Sequence, residues 1–329
     1  MIPETKLLAV KQALQKTFGV SELEDISKLT AGLSSALVFR IVVQGKSYLL
    51  RIITRTDEMS DPTNQFACMK VAAEAGIAPR IWYLSIEDRI SITDFIESQP
   101  FPLDEAKTKV PELMHRLHML PNFQKPIMQG SALDGFIEKF HAANIISNNQ
   151  TKELFQQYGR VKKVYPRNED VVSCHNDLKP ENILFDGEQV WLIDWEAAFL
   201  NDRYADLAVV ANFVVKNDED ELEYLENYFK EPATDYQRAR FFLMRQETHM
   251  FYFVVFMLFG AKGQKVDANM ERANFRAFHD RIWRGEIDLH SDEAKVQYAL
   301  VHMDQMLKNI RTERFENSLR IVSNYHTNK

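Results

Sequence analysis

Ser173-Cys174-His175-Asn176-Asp177-Leu178-Lys179-Pro180-Glu181-Asn182-Ile183-Leu184-Phe185 runs directly into Asp186-Gly187-Glu188-Gln189-Val190-Trp191-Leu192-Ile193-Asp194-Trp195-Glu196. Two short apolar runs, Ile183 to Phe185 and Val190 to Ile193, flank Asp186-Gly187, a pair that marks a tight turn between strands. The predicted hairpin has a geometric consequence. Asn182 stands just before its first strand and Asp194 just after its second, so folding brings both to one end. An amide oxygen and a carboxylate held side by side suit Mg²⁺, a hard cation that prefers oxygen ligands. Asp177 sits on the loop feeding that same end. Phosphoryl transfer needs metal ligands for the phosphates and a carboxylate that orients the attacking hydroxyl and accepts its proton. Asp and Asn are also ordinary turn-formers, and an isolated H-x-D arises by chance. The weight lies in the joint pattern: H-x-D-x-x-x-x-N, a hairpin, then Asp after an apolar strand.

Upstream of this segment the chain changes character once. Thr5 to Phe18 reads as an amphipathic helix ending near Gly19. Ala36 to Val43 and Ser47 to Ile53 read as strands joined by a turn containing Gly45. Asp61 and Pro62 open a helix that Gly76 closes, a capping residue and Pro at the start and Gly just past the end. Arg80 to Ile86 and Arg89 to Phe95 form another strand pair. After Pro100 and Pro102 the period becomes helical: Asp104 to Met119, Ala132 to Ala143, Thr151 to Val164, and almost everything from Tyr204 onward. A boundary is expected near Ser98 to Pro102, dividing the chain into residues 1–98 and 99–329.

Composition sets outer limits. The 329 residues can bury a large core, and 22 Phe against 11 Gly favours a helix-rich, aromatic-packed body. A net charge of −7 with no Lys/Arg-rich run argues against nucleic-acid binding. The same charge is compatible with a cationic substrate, although a mild acidic excess mostly serves solubility. Cys68 and Cys174 do not make a disulfide framework. The most apolar stretch, Met250 to Ala261, falls short of the about 20 residues a membrane span needs and is expected to be a buried core helix. No signal-peptide pattern opens the sequence, so the expected location is the cytoplasm, without membrane association. Homo-oligomerisation is left open.

The segment from Ser173 to Glu196 resembles the catalytic loop and metal-binding segment of the protein-kinase-like superfamily. More narrowly it is similar to the choline/ethanolamine kinase and aminoglycoside phosphotransferase group. The resemblance implies a two-lobed α+β fold: a small antiparallel sheet with one helix for the nucleotide, and a large mainly helical lobe carrying the catalytic loop, metal site and acceptor site. It implies ATP and Mg²⁺. His175 would brace the loop, Asp177 would be the catalytic base, and Asn182 and Asp194 would hold the metal. Asp194-Trp195-Glu196 matches the Asp-aromatic-Glu motif of choline kinases. Asp206, in Tyr204-Ala205-Asp206-Leu207-Ala208, matches the acidic residue of a following D-L-A element and takes a structural role.

In the N-terminal part, Leu29-Thr30-Ala31-Gly32-Leu33-Ser34-Ser35 resembles the nucleotide loop, in which Gly32, Ser34 and Ser35 would meet phosphate oxygens. Such loops commonly carry two glycines and this one has one, so a plain hairpin turn remains the alternative. Arg51 occupies the place of the phosphate-pairing lysine. A cation on a central strand is expensive to bury without an anion, which phosphates supply; an edge-strand Arg facing solvent is the alternative. The helix from Pro62 should supply a Glu to hold that cation, and the matching position is Gln65, which offers a hydrogen bond but no charge. Asp94 and Ile96 would meet the adenine edge through backbone carbonyl and amide.

For the acceptor, the resemblance implies acidic and aromatic side chains from the C-terminal helices that enclose a quaternary ammonium. The counterparts are Glu247, Tyr252 and Phe256, with Tyr252 and Phe256 on one helix face at i, i+4. Choline kinases show two Trp three residues apart in this helix, where Tyr252 and Val255 stand here. An aromatic stripe at helical spacing is also what a core looks like. Glu196 adds an anion at the mouth of the site. The favoured reading is a small-molecule kinase acting on a hydroxyl of an amino alcohol such as choline or ethanolamine. An aminoglycoside phosphotransferase, a protein Ser/Thr kinase and a non-catalytic nucleotide-binding scaffold are the alternatives. Asp177-Leu178-Lys179-Pro180-Glu181-Asn182 suits the protein kinase, and Lys179 would touch the γ-phosphate in either case. Against it, Trp-Glu rather than Phe-Gly follows Asp194, and no A-P-E element follows.

Overall fold

A computed structural model of the chain describes residues 2–29, 36–57, 60–124 and 132–327. The N-terminal part is a five-stranded sheet of β1 (Asp25–Leu29), β2 (Ala36–Val43), β3 (Lys46–Ile53), β4 (Ile81–Ser85) and β5 (Ile90–Asp94). Strand order is β1-β2-β3-β5-β4, and every pairing is antiparallel. The β2–β3 turn places Gln44 and Gly45 at φ 51° and 71°, the left-handed pair that a two-residue hairpin requires. Side chains alternate along each strand. Phe39, Ile41 and Val43 of β2, Leu50 and Ile52 of β3, and Ile90 and Ile92 of β5 share one buried face. Helix α1 (Glu4–Phe18) closes that face with Val10, Ala13 and Leu14. The same alternation sends Arg51, between Leu50 and Ile52, to the opposite face.

Helix α2 (Thr63–Glu74) starts where Asp61 accepts hydrogen bonds from the Thr63 N–H and hydroxyl at 2.8 and 2.6 Å. It ends at Gly76, whose φ of 67° needs no Cβ. Gln65 is buried on this helix with Phe66, Cys68 and Ala72.

The chain divides into two compact units. One comprises Met1–Phe101, Met119–Lys125 and His175–Leu200, and the other Pro102–His118, Pro126–Cys174 and Asn201–Lys329. The His175–Leu200 segment, expected with residues 99–329, thus clusters with the N-terminal sheet. Backbone pairing explains the difference. The Leu192 N–H donates to Ile77 O at 2.9 Å and the Gln99 N–H to Phe185 O at 2.7 Å. Phe101 stacks on Phe185 with ring centroids 4.5 Å apart, and the Asn64 side chain donates to Ala198 O at 2.8 Å.

The second unit is mainly helical: α3 (Leu103–His118), α4 (Ala132–Ala143), α5 (Asn148–Val164), α6 (Arg203–Val214), α7 (Asp218–Phe229), α8 (Asp235–Ala261), α9 (Phe275–Trp283), α10 (Asp292–Ile310) and α11 (Glu313–Thr327). Its longest element, α8, opens with a Thr234/Gln237 capping box. The apolar run Met250 to Ala261 is the C-terminal part of α8, where Met250, Phe253, Val254, Val255 and Met257 are buried. No helix among the described residues is long and apolar enough to cross a membrane. Gly260 permits a close approach of α8 to α10, since a Cβ there would meet Asp292 O at 2.8 Å and Val296 Cγ2 at 2.9 Å. Arg240, fully buried on α8, is bonded to Asp202 at 2.7 Å and Asp170 at 2.5 Å. These partners make its burial tolerable.

Candidate active site

After the four-residue strand β6 (Val171–Cys174), the hairpin forms as β7 (Ile183–Phe185) and β8 (Val190–Leu192), with Ile183 opposite Leu192 and Phe185 opposite Val190. Asp186 builds its turn: one carboxylate oxygen accepts from the Glu188 and Gln189 N–H groups at 2.9 and 2.7 Å, the other from Trp191 Nε1 at 2.8 Å. Those bonds hold the Asp186 carboxyl below its ordinary value, the Gln189 amide contributing most. At the open end the Ile193 N–H donates to Asn182 O at 3.1 Å, which sets Asn182 and Asp194 side by side.

Asp194 itself sits at φ 64°, ψ 68°, a left-handed conformation uncommon outside glycine and found where surrounding structure fixes it. The carbonyl just before it is clamped. His175 donates from Nε2 to Ile193 O at 2.8 Å, and its Nδ1 accepts from the Asp177 N–H at 3.3 Å. One buried imidazole therefore ties the Asp177 loop to the strand end, and Trp195 packs on its ring at 4.8 Å. Asn176, which sequence reasoning passed over, adds a second tie: its side chain donates to Ala197 O at 3.1 Å and Phe199 O at 3.3 Å. Its φ of 64° is a conformation asparagine tolerates well.

The Asn182 amide donates both hydrogens to Asp177, to the backbone oxygen at 2.8 Å and to a carboxylate oxygen at 2.9 Å. Its own oxygen is thereby turned away from Asp177. That oxygen and the Asp194 carboxylate are the hard donors a magnesium ion selects, so the residues present fit the metal. Lys179 reaches the same Asp177 oxygen at 2.9 Å. Burial opposes its charge, but Asp177, then Asp194 and Glu181, hold its ammonium above the ordinary lysine value.

Arg51 of β3 completes the cluster. Its Nη1 lies 2.8 Å from Asp194 Oδ1 and its Nη2 3.3 Å from Glu196 Oε2. Arg51 and Asp194 are 13% and 15% exposed in their side chains, whereas Glu196 is half exposed at 52%. Partial burial, followed by the neighbouring Asp194, pushes the Glu196 carboxyl above its usual range against the pull of Arg51.

The other expected site residues fall in three places. Gly32, Ser34 and Ser35 lie outside the described residues. Asp94 ends β5, its carboxylate held by Trp82 Nε1 at 2.7 Å, and the Thr93 hydroxyl lies 3.2 Å from its carbonyl oxygen; Ile96 lies just beyond the end of the strand. Glu247, Tyr252 and Phe256 all lie on α8 in the second unit. Glu247 is engaged by Arg167 in an ion pair. Tyr252 and Phe256 share a face, as their spacing requires, 5.8 Å apart, and pack on Tyr298 of α10 at 5.4 and 4.8 Å. They form an interhelical aromatic layer that Glu247 does not enter. Asp206 is fully buried and accepts from His118 Nε2 at 3.2 Å, while His118 Nδ1 accepts from the Tyr228 hydroxyl at 2.7 Å. The structural role expected for Asp206 fits this network, whereas His118 and Tyr228 were not singled out from the sequence.

An H-x-D loop beside a hairpin that sets Asn182 next to Asp194, with Arg51 of the antiparallel sheet paired to Asp194, is the arrangement expected of a phosphotransferase. Residues 25–242 match the phosphotransferase enzyme family, and the chain belongs to it. The structure is similar to a choline/ethanolamine kinase family protein from Mesorhizobium loti, with a TM-score of 0.67 and 19% identity over 97% of this chain and 99% of that one. It is also similar to the spectinomycin phosphotransferase APH(9)-Ia, solved with ADP and spectinomycin, with a TM-score of 0.60 and 14% identity over 90% and 98% of the two chains. At these identities the likeness is one of fold. In sequence, Protein LicA of Haemophilus influenzae is 44% identical over 45 residues, a match spanning 13% of this chain and 13% of that protein.

Proposed function

We propose that this protein is an ATP- and Mg²⁺-dependent small-molecule kinase that transfers the γ-phosphate to a hydroxyl of an amino alcohol such as choline or ethanolamine. The observation that carries the reading is that Asn182 bonds Asp177, Arg51 bonds Asp194, and the Ile193 N–H donates to Asn182 O, joining the two pairs. Asp177 orients the acceptor hydroxyl and takes its proton as the oxygen bonds to the γ-phosphorus. The bond from that phosphorus to the β,γ-bridging oxygen breaks, and ADP leaves. Arg51 offsets charge on the nucleotide phosphates, and Lys179 sits where it meets the γ-phosphate. Asn182 and Asp194 hold the metal, which when bound neutralises the phosphate oxygens. The likeness to a choline/ethanolamine kinase family protein and the net charge of −7 support a small cationic acceptor.

The likeness to a spectinomycin phosphotransferase favours an aminoglycoside-type acceptor as the second reading. Acceptor-dependent ADP release with MgATP separates the two. Choline, ethanolamine, thiamine, several aminoglycosides and a generic protein serve as acceptors, with Asp177→Ala as control. Turnover confined to one amino alcohol and lost in the control is the expected result. Turnover on aminoglycosides alone moves the assignment to the second reading. Turnover on protein alone, or nucleotide binding without turnover of any acceptor, overturns both.

A further inference from the structure

Among the described residues, Asp194 and Glu196 both bond to Arg51, and of these two only Asp194 is also placed to be a metal ligand. Asp194 Oδ1 is 2.8 Å from Nη1, and Glu196 Oε2 is 3.3 Å from Nη2. On α2, where an acidic partner for this cation would be expected, position 65 is glutamine, buried and uncharged. Each carboxylate holds one end of the guanidinium, Asp194 at Nη1 and Glu196 at Nη2, so removing either charge frees one end whether or not a metal is bound. The short 3-10 turn Trp195–Ala197 carries it, fixed by Trp195, which is 1% exposed, and by the Ala198 N–H donating to Trp195 O at 3.2 Å. The carboxylate therefore projects from a rigid base.

We infer that Glu196 is a positioning residue for nucleotide binding: it holds Arg51 in line with the phosphates, in place of a carboxylate at position 65 of α2, where glutamine stands. This rests on the reading of Arg51 as the phosphate-facing cation. It moves Glu196 from the acceptor, where the motif suggested it, to the nucleotide. The sign of its effect is diagnostic. An anion that merely stands near a polyphosphate weakens binding, so its removal tightens the complex; an anion that orders the binding cation does the opposite.

The test is ADP affinity by calorimetry, in EDTA and in Mg²⁺, for the unaltered protein, Arg51→Ala, Glu196→Gln and the double variant, with a thermal melt of each as a folding control. In EDTA no metal contributes, so a loss reports on Arg51 alone. The expected result is about fivefold weaker binding for Glu196→Gln in EDTA, a magnitude typical of weakening one charge-assisted hydrogen bond. The double variant should bind no more weakly than Arg51→Ala. In turnover, Glu196→Gln should raise KM for ATP while kcat and the acceptor KM stay near their original values. Unchanged or tighter ADP binding by Glu196→Gln in EDTA, with Arg51→Ala still weakened, would overturn the inference and leave Glu196 to the metal or the acceptor. Unchanged binding by Arg51→Ala would overturn the reading of Arg51 beneath it as well.

Discussion

Arg51 and Asp194 stand 143 positions apart in the chain and 2.8 Å apart in the fold. The contact joins the central strand of the N-terminal sheet to the residue that ends the β7–β8 hairpin. Both side chains are largely withdrawn from water, where an ion pair is screened less and the loss of one partner costs more. The pair is one reason that residues 175–200 belong with the sheet.

Removing the base should affect rate and little else. Asp177→Ala is expected to lower turnover by at least ~10²-fold, the low end for loss of a positioned general base. The side chain is one-third exposed, so the melting temperature should barely move. Asp177→Asn, which keeps the shape, should be equally slow. Unaltered turnover in either variant removes Asp177 from its role.

The metal role of Asp194 can be read from a magnesium titration. Asp194→Asn keeps a residue that tolerates the left-handed backbone at φ 64° and removes only the charge. Half-maximal turnover should need several-fold more Mg²⁺, with maximal turnover down about 10²-fold, comparable to losing one preorganised electrostatic contact. An unchanged magnesium dependence excludes Asp194 as a ligand.

Acid should destabilise the second unit through three imidazoles. His249, His279 and His302 are fully buried, and His249 Nδ1 lies 2.9 Å from His302 Nδ1. Burial, reinforced by nearby Arg245, pushes His249 and His302 well below the ordinary value, and burial takes His279 down to about 3. Because the folded pKa is depressed, the stabilisation is complete above the unfolded value near 6.5 and is lost as pH falls from there. Each imidazole should steepen the loss by up to about 1.4 kcal/mol per pH unit. Urea unfolding between pH 7.5 and 5.5 reads this slope, and His279→Phe should reduce it by roughly half a proton averaged over that range. An identical slope in that variant would show that His279 titrates normally in the fold.

Gly260→Ala should be costly for a single methyl. The added Cβ would stand 2.8 Å from a backbone oxygen of α10, so the helices must separate. Overpacking of this kind costs about 1–3 kcal/mol. The urea midpoint should fall accordingly, while kcat per folded molecule stays unchanged. A midpoint that does not move would mean that α8 and α10 yield at no cost.

The hairpin, the paired strands β2 and β3, and the helices α1 to α5 were legible because each has a local signature: alternation, a Gly-containing turn, or caps flanking a 3.6-residue period. Strand β1 was not, since Asp25-Ile26-Ser27-Lys28-Leu29 is an edge strand with mostly exposed side chains and shows no apolar alternation. Val171–Cys174 and Phe199–Asp202 are strands of four residues, too short for a period to register. Asn182 and Asp194 could be placed together because hairpin closure is a local geometric rule. The partner of Arg51 could not. Gln65 was the position to which the resemblance pointed, but the carboxylates that reach the guanidinium come from a segment more than a hundred residues away, and long-range pairing of charges leaves no local trace. Similarly, Tyr252 and Phe256 announced a common face at i, i+4, but not which helix that face would meet.

The Asn182 side chain makes one further point about this site. An amide is a two-sided group, donor on one flank and acceptor on the other, and here the donor flank is spent entirely on Asp177. A carboxylate at the same position would gain charge for a cation yet lose every hydrogen it gives, and would confront the base with a like charge. Position 182 therefore selects between two isosteres by polarity, and the residue that looks the stronger ligand is the one the loop refuses.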